Sequence, residues 1–230
     1  MNVELKSITP NAEENIVEIA RVSSSRENKT ENPEGLINYL IRNKHWSPFE
    51  HSFLTMEIVT SKAIGIQLLR HRSFTFQEFS QRYAKVGGME DIHFRKQAEN
   101  NRQSSVDEIC RIRLNELAWS ISGSSDEDDR NSMDLETDKF MQRVANNLKE
   151  SFQLYNEGLE RGIAKECMRM ILPMATKTTI YMTGSVRSWI HFLALRDDTH
   201  AQLEAQFIAR EVKRIFKEQL PIISKALGYE

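Results

Sequence analysis

The run Arg70-His71-Arg72-Ser73-Phe74-Thr75-Phe76-Gln77-Glu78-Phe79-Ser80-Gln81-Arg82-Tyr83 concentrates cationic, carboxylate, hydroxyl and aromatic side chains in one short stretch. These are the groups that a phosphorylated, ring-bearing ligand needs. An arginine presents a planar fork that matches two phosphate oxygens at once. Aromatic rings stack on heterocycles. A carboxylate and hydroxyls can read ring edges or ribose hydroxyls. The bland alternative is a solvated charged strip anchored by its aromatic residues.

The elements that must position this run follow from periodicity. Residues 11–22 read as a helix with Ile16, Ile19 and Ala20 on one face, and Pro33 opens a second helix striped by Leu36, Ile37, Leu40 and Ile41. Residues 51–60 alternate, with Leu54, Met56 and Ile58 on one side, and read as a strand. Residues 62–71 read as a largely buried helix on which Gln67 and Arg70 share a face. The charged run then begins at a helix end and continues as an ordered loop or short strand, and Gly87-Gly88 marks a turn.

Further along, residues 106–120 could be helical through Ile109, Ile112 and Leu117. Residues 122–138 hold seven acidic residues against one arginine and read as a flexible acidic loop. Residues 139–162 form a long helix with Phe140, Val144, Leu148, Phe152 and Tyr155 at helical spacing. Residues 164–172 form a shorter one that Pro173 stops, with Cys167 as a small buried thiol. Residues 176–183 have the β-branched content of a strand. Two helices follow at 185–196 and 200–220, the second with Leu203, Phe207, Val212, Ile215 and Phe216 inward. Helices flanking a few strands in irregular order make the fold class α+β.

Bulk composition narrows the function classes. The chain has 230 residues, enough for one domain with a sizeable core. A net charge of −2 argues against a general nucleic-acid coat while leaving room for a local phosphate site. No apolar run approaches the roughly 20 residues of a membrane span. The first residues lack the apolar core of a signal peptide, so the cytoplasm is expected. Cys110 and Cys167 give neither a disulfide framework nor a metal spacing, and no metal is expected.

Arg70-His71-Arg72, seven residues, then Ser80 resembles the signature of the flavin-dependent thymidylate synthases, with Glu78-Phe79-Ser80-Gln81-Arg82-Tyr83 as its ending. Further stretches are similar to that family, in the same order. They are His45-Trp46-Ser47-Pro48-Phe49-Glu50-His51, Arg169-Met170-Ile171-Leu172-Pro173, Ser185-Val186-Arg187-Ser188, and Leu195-Arg196-Asp197-Asp198-Thr199-His200-Ala201-Gln202. The resemblance spans residues 21–220. It implies the thymidylate synthase-complementing protein fold, with mixed helices on a central β-sheet in a homotetramer whose active sites are shared between subunits. It also implies methylation of dUMP to dTMP, with methylenetetrahydrofolate as donor, FAD as hydride carrier and NADPH as reductant.

By position in these motifs, Arg70, His71, Arg72 and Glu78 would contact FAD, as would Ser47, Ser185, Val186, Arg187 and His191. Gln67, Leu68, Leu69 and Arg70 would border dUMP on one side. Glu78, Phe79, Ser80, Gln81 and Arg82 would border it on the other, with Arg169 reaching it from a second helix. A surface ion pair is the alternative for Arg82, and a cap or ion pair for Arg169. Ser185 also reads as an N-cap, at a helix start whose free amides suit an anion. Ser80 has no evident activating base, and the resemblance implies a route without an enzyme–uracil bond, so Ser80 would bind and polarise dUMP.

Arg196 would be catalytic. Making uracil nucleophilic at C5 builds charge that a fixed guanidinium stabilises, and Asp197 and Asp198 could fix its direction. Gln77 and Ser185 stand where the family commonly has Asn. Two other readings stay open: a flavoprotein with another pyrimidine or methyl donor, and a non-catalytic nucleotide or RNA binder that stacks bases on the 70–82 strip.

Overall fold

The computed structural model describes residues 1–23, 32–102, 104–114, 119–123 and 135–229, with the backbone alone for 23 and 119–123. Helices and strands are mixed in an α+β arrangement. In order they are β1 (Asn2–Ile8), α1 (Ala12–Ala20), α2 (Pro33–Arg42), β2 (Phe53–Ser61), α3 (Lys62–Leu68), β3 (Thr75–Glu78), β4 (Ile92–Gln97), β5 (Ser105–Leu114) and β6 (Trp119–Gly123). Then follow α4 (Leu135–Glu160), α5 (Lys165–Met168), β7 (Lys177–Ser185), α6 (Val186–Arg196), α7 (Leu203–Gln219) and α8 (Pro221–Ala226). The described strands form two sheets, one ordered β1-β2-β7-β3 and one, antiparallel, ordered β4-β5-β6. Among the described residues no helix is long and apolar enough to cross a membrane.

The chain divides into two compact units, each drawn from discontinuous stretches. One holds Met1, Val59–Leu68 and Glu78–Thr179, and the other Asn2–Ile58, Leu69–Gln77 and Ile180–Glu230. In the first, Met89, Ile112, Leu114 and Leu148 form a buried cluster. Ile92, Phe94, Val144 and Phe152 pack around it, so helix α4 covers the β4-β5-β6 sheet. Tyr155 is fully buried and its hydroxyl accepts from the Val86 amide at 3.1 Å, which satisfies a polar group that burial would otherwise penalise.

In the second unit, Leu54, Met56 and Ile58 of β2 are fully buried while their neighbours face outward. That is the half-buried alternation of a strand with one wet face. Trp189, Ile190, Phe192 and Leu193 of α6 supply much of the remaining core, and the Trp189 indole donates to the Leu54 carbonyl at 3.2 Å. A Cβ at Gly184 would overlap the Phe74 ring, so this ring fits only because β7 carries a glycine there. Helix α8 begins on a tertiary cap: Glu13 of α1, nearly buried, accepts from the Ile223 amide at 2.7 Å. Burial pushes its carboxyl pKa up, and the Ile223 and Ile222 amides oppose this.

Several expectations need correction. Residues 106–120 are not helical: β5 occupies Ser105–Leu114, and β6 begins at Trp119. The step of three between Ile109 and Ile112 imitates a helix, but burial follows Cys110, Ile112 and Leu114 at steps of two, with basic residues between. Helix α3 stops at Leu68, so Gln67 and Arg70 do not share a helical face. The buried stripe of α4 runs through Met141, Leu148 and Tyr155, one position off Phe140, which is exposed. Leu203 and Phe207 of α7 are also exposed. Cys167 is exposed, because α5 is a single turn with no buried residue, and Cys110 is the buried thiol. Of the acidic 122–138 stretch, Ser122 and Gly123 belong to β6 and residues 135–138 to α4; residues 124–134 lie outside the described residues.

Replacing Glu13 with alanine leaves the Ile223 amide without its acceptor. The cost should be about 1–3 kcal/mol, read as a lower urea midpoint at an unchanged slope. An unshifted midpoint would show that the cap contributes nothing.

Candidate active site

The residues expected to form the site fall into two clusters, one in each unit. In the second unit, Ser185 ends β7 and caps α6. Its Oγ accepts from the Ser188 amide at 3.2 Å and donates to Glu50. Glu50 closes the turn Ser47–Glu50, in which Pro48 fixes the second position and Phe49 is buried. Its other oxygen accepts from Arg187 at 2.8 Å. This carboxylate thus ties the Ser47 turn to the first turn of α6. The Val186 amide donates to the Ser52 carbonyl at 2.8 Å, and the Ser188 amide is held by Ser185. The helix start therefore offers an anion fewer free amides than its sequence suggested, and the exposed Arg187 side chain carries the positive charge there.

Arg70, His71 and Arg72 follow α3 as a turn. Arg70 and Arg72 are exposed and have no carboxylate partner among the described residues, which leaves two forks free for an anion. His71 is half-buried, with its ring edge-on to Phe192 at 5.1 Å and Phe74 at 6.2 Å. Its Nε2 accepts from Arg196 Nε at 2.9 Å. This bond requires a neutral imidazole protonated at Nδ1. Burial, with the charges of Arg196 and His191, pushes the His71 pKa down to about 4. Burial and neighbouring Arg70 also push Arg196 down, yet it stays cationic. Arg196 lies in the last turn of α6, where the helix dipole favours a cation.

Asp197 and Asp198 were expected to steer Arg196. Asp197 instead pairs with Arg210 and Lys213, and Asp198 binds the His200 amide and ring. His71 is a group that does orient Arg196. His191 is exposed on α6, and Ser47 is exposed at the head of its turn.

In the first unit, Glu78 is bound by Lys62 at 2.7 and 2.8 Å and by Thr178 Oγ1 at 2.8 Å. Phe79 donates its amide to the Thr179 carbonyl, and the Ser80 carbonyl accepts from Tyr83 and Ala84, forming a tight turn over 80–84. Arg82 pairs with Glu166 at 3.2 Å, and both are exposed. This is the surface ion pair that was its alternative reading. Such a pair contributes about 0–1 kcal/mol, so a bound phosphate could displace it.

Arg169 sits in the turn Arg169–Ile171, its Nε buried without a partner among the described residues. A buried donor left unpaired is costly and fits a site that awaits an acceptor. Leu68 is wholly buried, so only its backbone can meet a ligand; Gln67, Leu69, Phe79, Ser80 and Gln81 are half-buried. Lys62, Thr178 and Glu50 escaped the sequence reading. Their signals were a single cation at a strand-to-helix junction, one threonine among several, and a carboxylate in a motif with no role attached to it.

Arginines without a carboxylate partner among the described residues, a guanidinium held by a neutral imidazole and a fixed carboxylate make up the expected sites of this α+β protein, and their chemistry suits anionic, ring-bearing ligands. Comparison with known proteins makes this specific. A family model described as thymidylate synthase complementing protein matches residues 4–222. The chain is 44% identical to a probable flavin-dependent thymidylate synthase of Paramecium bursaria Chlorella virus 1 over 221 residues, covering 95% of this chain and 91% of the relative. It is 42% identical to a flavin-dependent thymidylate synthase of Synechocystis over 213 residues, 91% of this chain and 86% of the relative. It is 34% identical to one from Thermosipho melanesiensis over 208 residues, 89% and 81% of the two chains. The chain belongs to the thymidylate synthase complementing protein family.

The His71 contact has a pH consequence. An unfolded histidine takes up its proton near 6.5, whereas folded His71 does so only near 4. The unfolded state therefore binds more protons between these values, and stability falls as pH drops from 6.5 towards 4. His71→Gln keeps an acceptor for Arg196 but cannot titrate, so its urea midpoint should vary less across that window. Equal pH dependence in both proteins would refute the neutral-acceptor assignment.

Proposed function

We infer that this protein is a flavin-dependent thymidylate synthase, converting dUMP to dTMP with methylenetetrahydrofolate as methylene donor and NADPH as reductant. The observation that carries this reading is the exposed Arg70 beside the half-buried Arg196, followed by the exposed Arg72, both exposed arginines lacking a carboxylate partner among the described residues, in a chain of this family. Two free forks together with the exposed Arg187 fit the pyrophosphate of a dinucleotide such as FAD. His71, Ser47, Ser185, Val186 and His191 would hold the rest of it. Bound FAD would supply the hydride chemistry that no side chain here provides.

The protein's own part is binding and charge. Arg196, aimed by His71, would face the pyrimidine edge and stabilise the anionic ring that forms when C5 becomes nucleophilic. Arg82, released from Glu166, and Arg169, whose buried Nε has no partner among the described residues, would take the nucleotide's anionic groups. Glu78 would accept from ligand donors, while the backbone turn at Ser80 would align Ser80 and Gln81. The exposed apolar side chains of Tyr83, Ile163, Met170, Ile171 and Met174 in the first unit support assembly into a homotetramer that would cover them.

The visible spectrum of the purified protein tests the reading. Flavin bands are expected, and they should bleach when NADPH and dUMP are added under anaerobic conditions. Arg196→Ala should keep the flavin and lose turnover by about 100- to 1,000-fold. A protein that stays colourless after incubation with FAD would overturn the assignment.

A further inference from the structure

Glu78 is held in an unsymmetrical way. Oε1 accepts from both Lys62 Nζ, at 2.7 Å, and Thr178 Oγ1, at 2.8 Å. Among the described residues, Oε2 accepts from Lys62 alone, at 2.8 Å. A carboxylate has about four acceptor directions, so one oxygen is filled and the other keeps capacity. Both donors are fixed by backbone. Lys62 opens α3, where its amide donates to the Thr176 carbonyl at 2.8 Å and the Ala63 amide to the Met174 carbonyl at 3.0 Å. Thr178 lies within β7, 2% exposed. The ion pair is itself well shielded, with 29% of the Lys62 and 18% of the Glu78 side chain exposed. Screening by water is thus weaker than at an open surface.

We propose that Lys62 and Thr178 are positioning residues for the nucleotide site: they lock the Glu78 carboxylate in one orientation and present its Oε2 to a ligand N–H or O–H donor. The inference rests on the reading of Glu78 as a ligand-binding residue. A flexible glutamate would have to be ordered on binding, and each such ordering costs affinity. Here folding has already ordered it. Lys62 carries no motif of its own; it acts only through Glu78, and Thr178 fixes the oxygen that the ligand does not use.

A double-mutant cycle on the FAD-loaded enzyme separates this role from a structural one. Lys62→Met and Thr178→Val should each lower kcat/KM for dUMP, Lys62→Met by roughly tenfold, mainly through KM. Lys62→Arg should restore most of the loss. In a Glu78→Gln background, Lys62→Met should add less than about twofold. Full additivity of the two losses, or unchanged kinetics in both Lys62→Met and Thr178→Val, would overturn the positioning role while leaving Glu78 in the site. An unchanged Glu78→Gln enzyme would instead remove Glu78 from the site, and the proposal with it. Should Lys62→Met fail to fold, Thr178→Val in the same cycle carries the test, because valine keeps the shape and loses only the hydroxyl.

Discussion

Arg196 lies half-buried beside Arg70, a second cation, and its Nε donates to an imidazole at 2.9 Å. Two like charges repel each other, and burial penalises the Arg196 charge further. A carboxylate partner would relieve this but would also neutralise the charge a ligand needs. A neutral imidazole relieves it differently. It accepts one guanidinium N–H, fixes the direction of the group and leaves the net positive charge intact. For that, His71 must stay unprotonated, and its own burial, with the nearby charge of Arg196, keeps it so. The ring is held edge-on by Phe74 and Phe192, and Phe74 has room only because position 184 is glycine. The packing of the second unit and its electrostatics are thus one problem with one solution.

The first unit handles charge in the opposite manner. Glu78 is fixed by two donors in a shielded setting, whereas Arg82 is held only by an exposed pair with Glu166. Shielded and doubly bonded groups are costly to move, and exposed pairs are cheap to break. One group arrives prepared for a ligand, and the other can be released to one. Arg169 shows a third condition, a buried donor with no described partner, whose cost the surrounding fold must bear until an acceptor arrives.

Much of this was legible before any coordinates. The strand at β2, the helices α1, α2, α4, α6 and α7, and the N-cap at Ser185 follow from periodicity and capping chemistry. The five motif stretches, in order, pointed to the family to which the chain belongs. What misled was short-range coincidence. The spacing of Ile109 and Ile112 fits a helix as well as a bulged strand, and Cys-Arg-Ile-Arg-Leu settles the matter only if alternation is weighed above it. β1, α8 and the β4 strand carry too weak a period to stand out alone.

Residue types and motif order were determined by the sequence itself: which side chains could bind anions, which could stack, and which arginine could stabilise a ring anion. Those follow from covalent chemistry and need no fold. Partnership was decided only by tertiary structure. Asp197 and Asp198 adjoin Arg196 in the chain, yet they bind Arg210, Lys213 and His200, while His71, 125 residues away, orients the guanidinium. Lys62 and Thr178 likewise meet Glu78 from distant positions. Sequence neighbours on a helix end point in different directions, and hydrogen bonds form between atoms that the packed core brings within about 3 Å; adjacency along the chain does not select them.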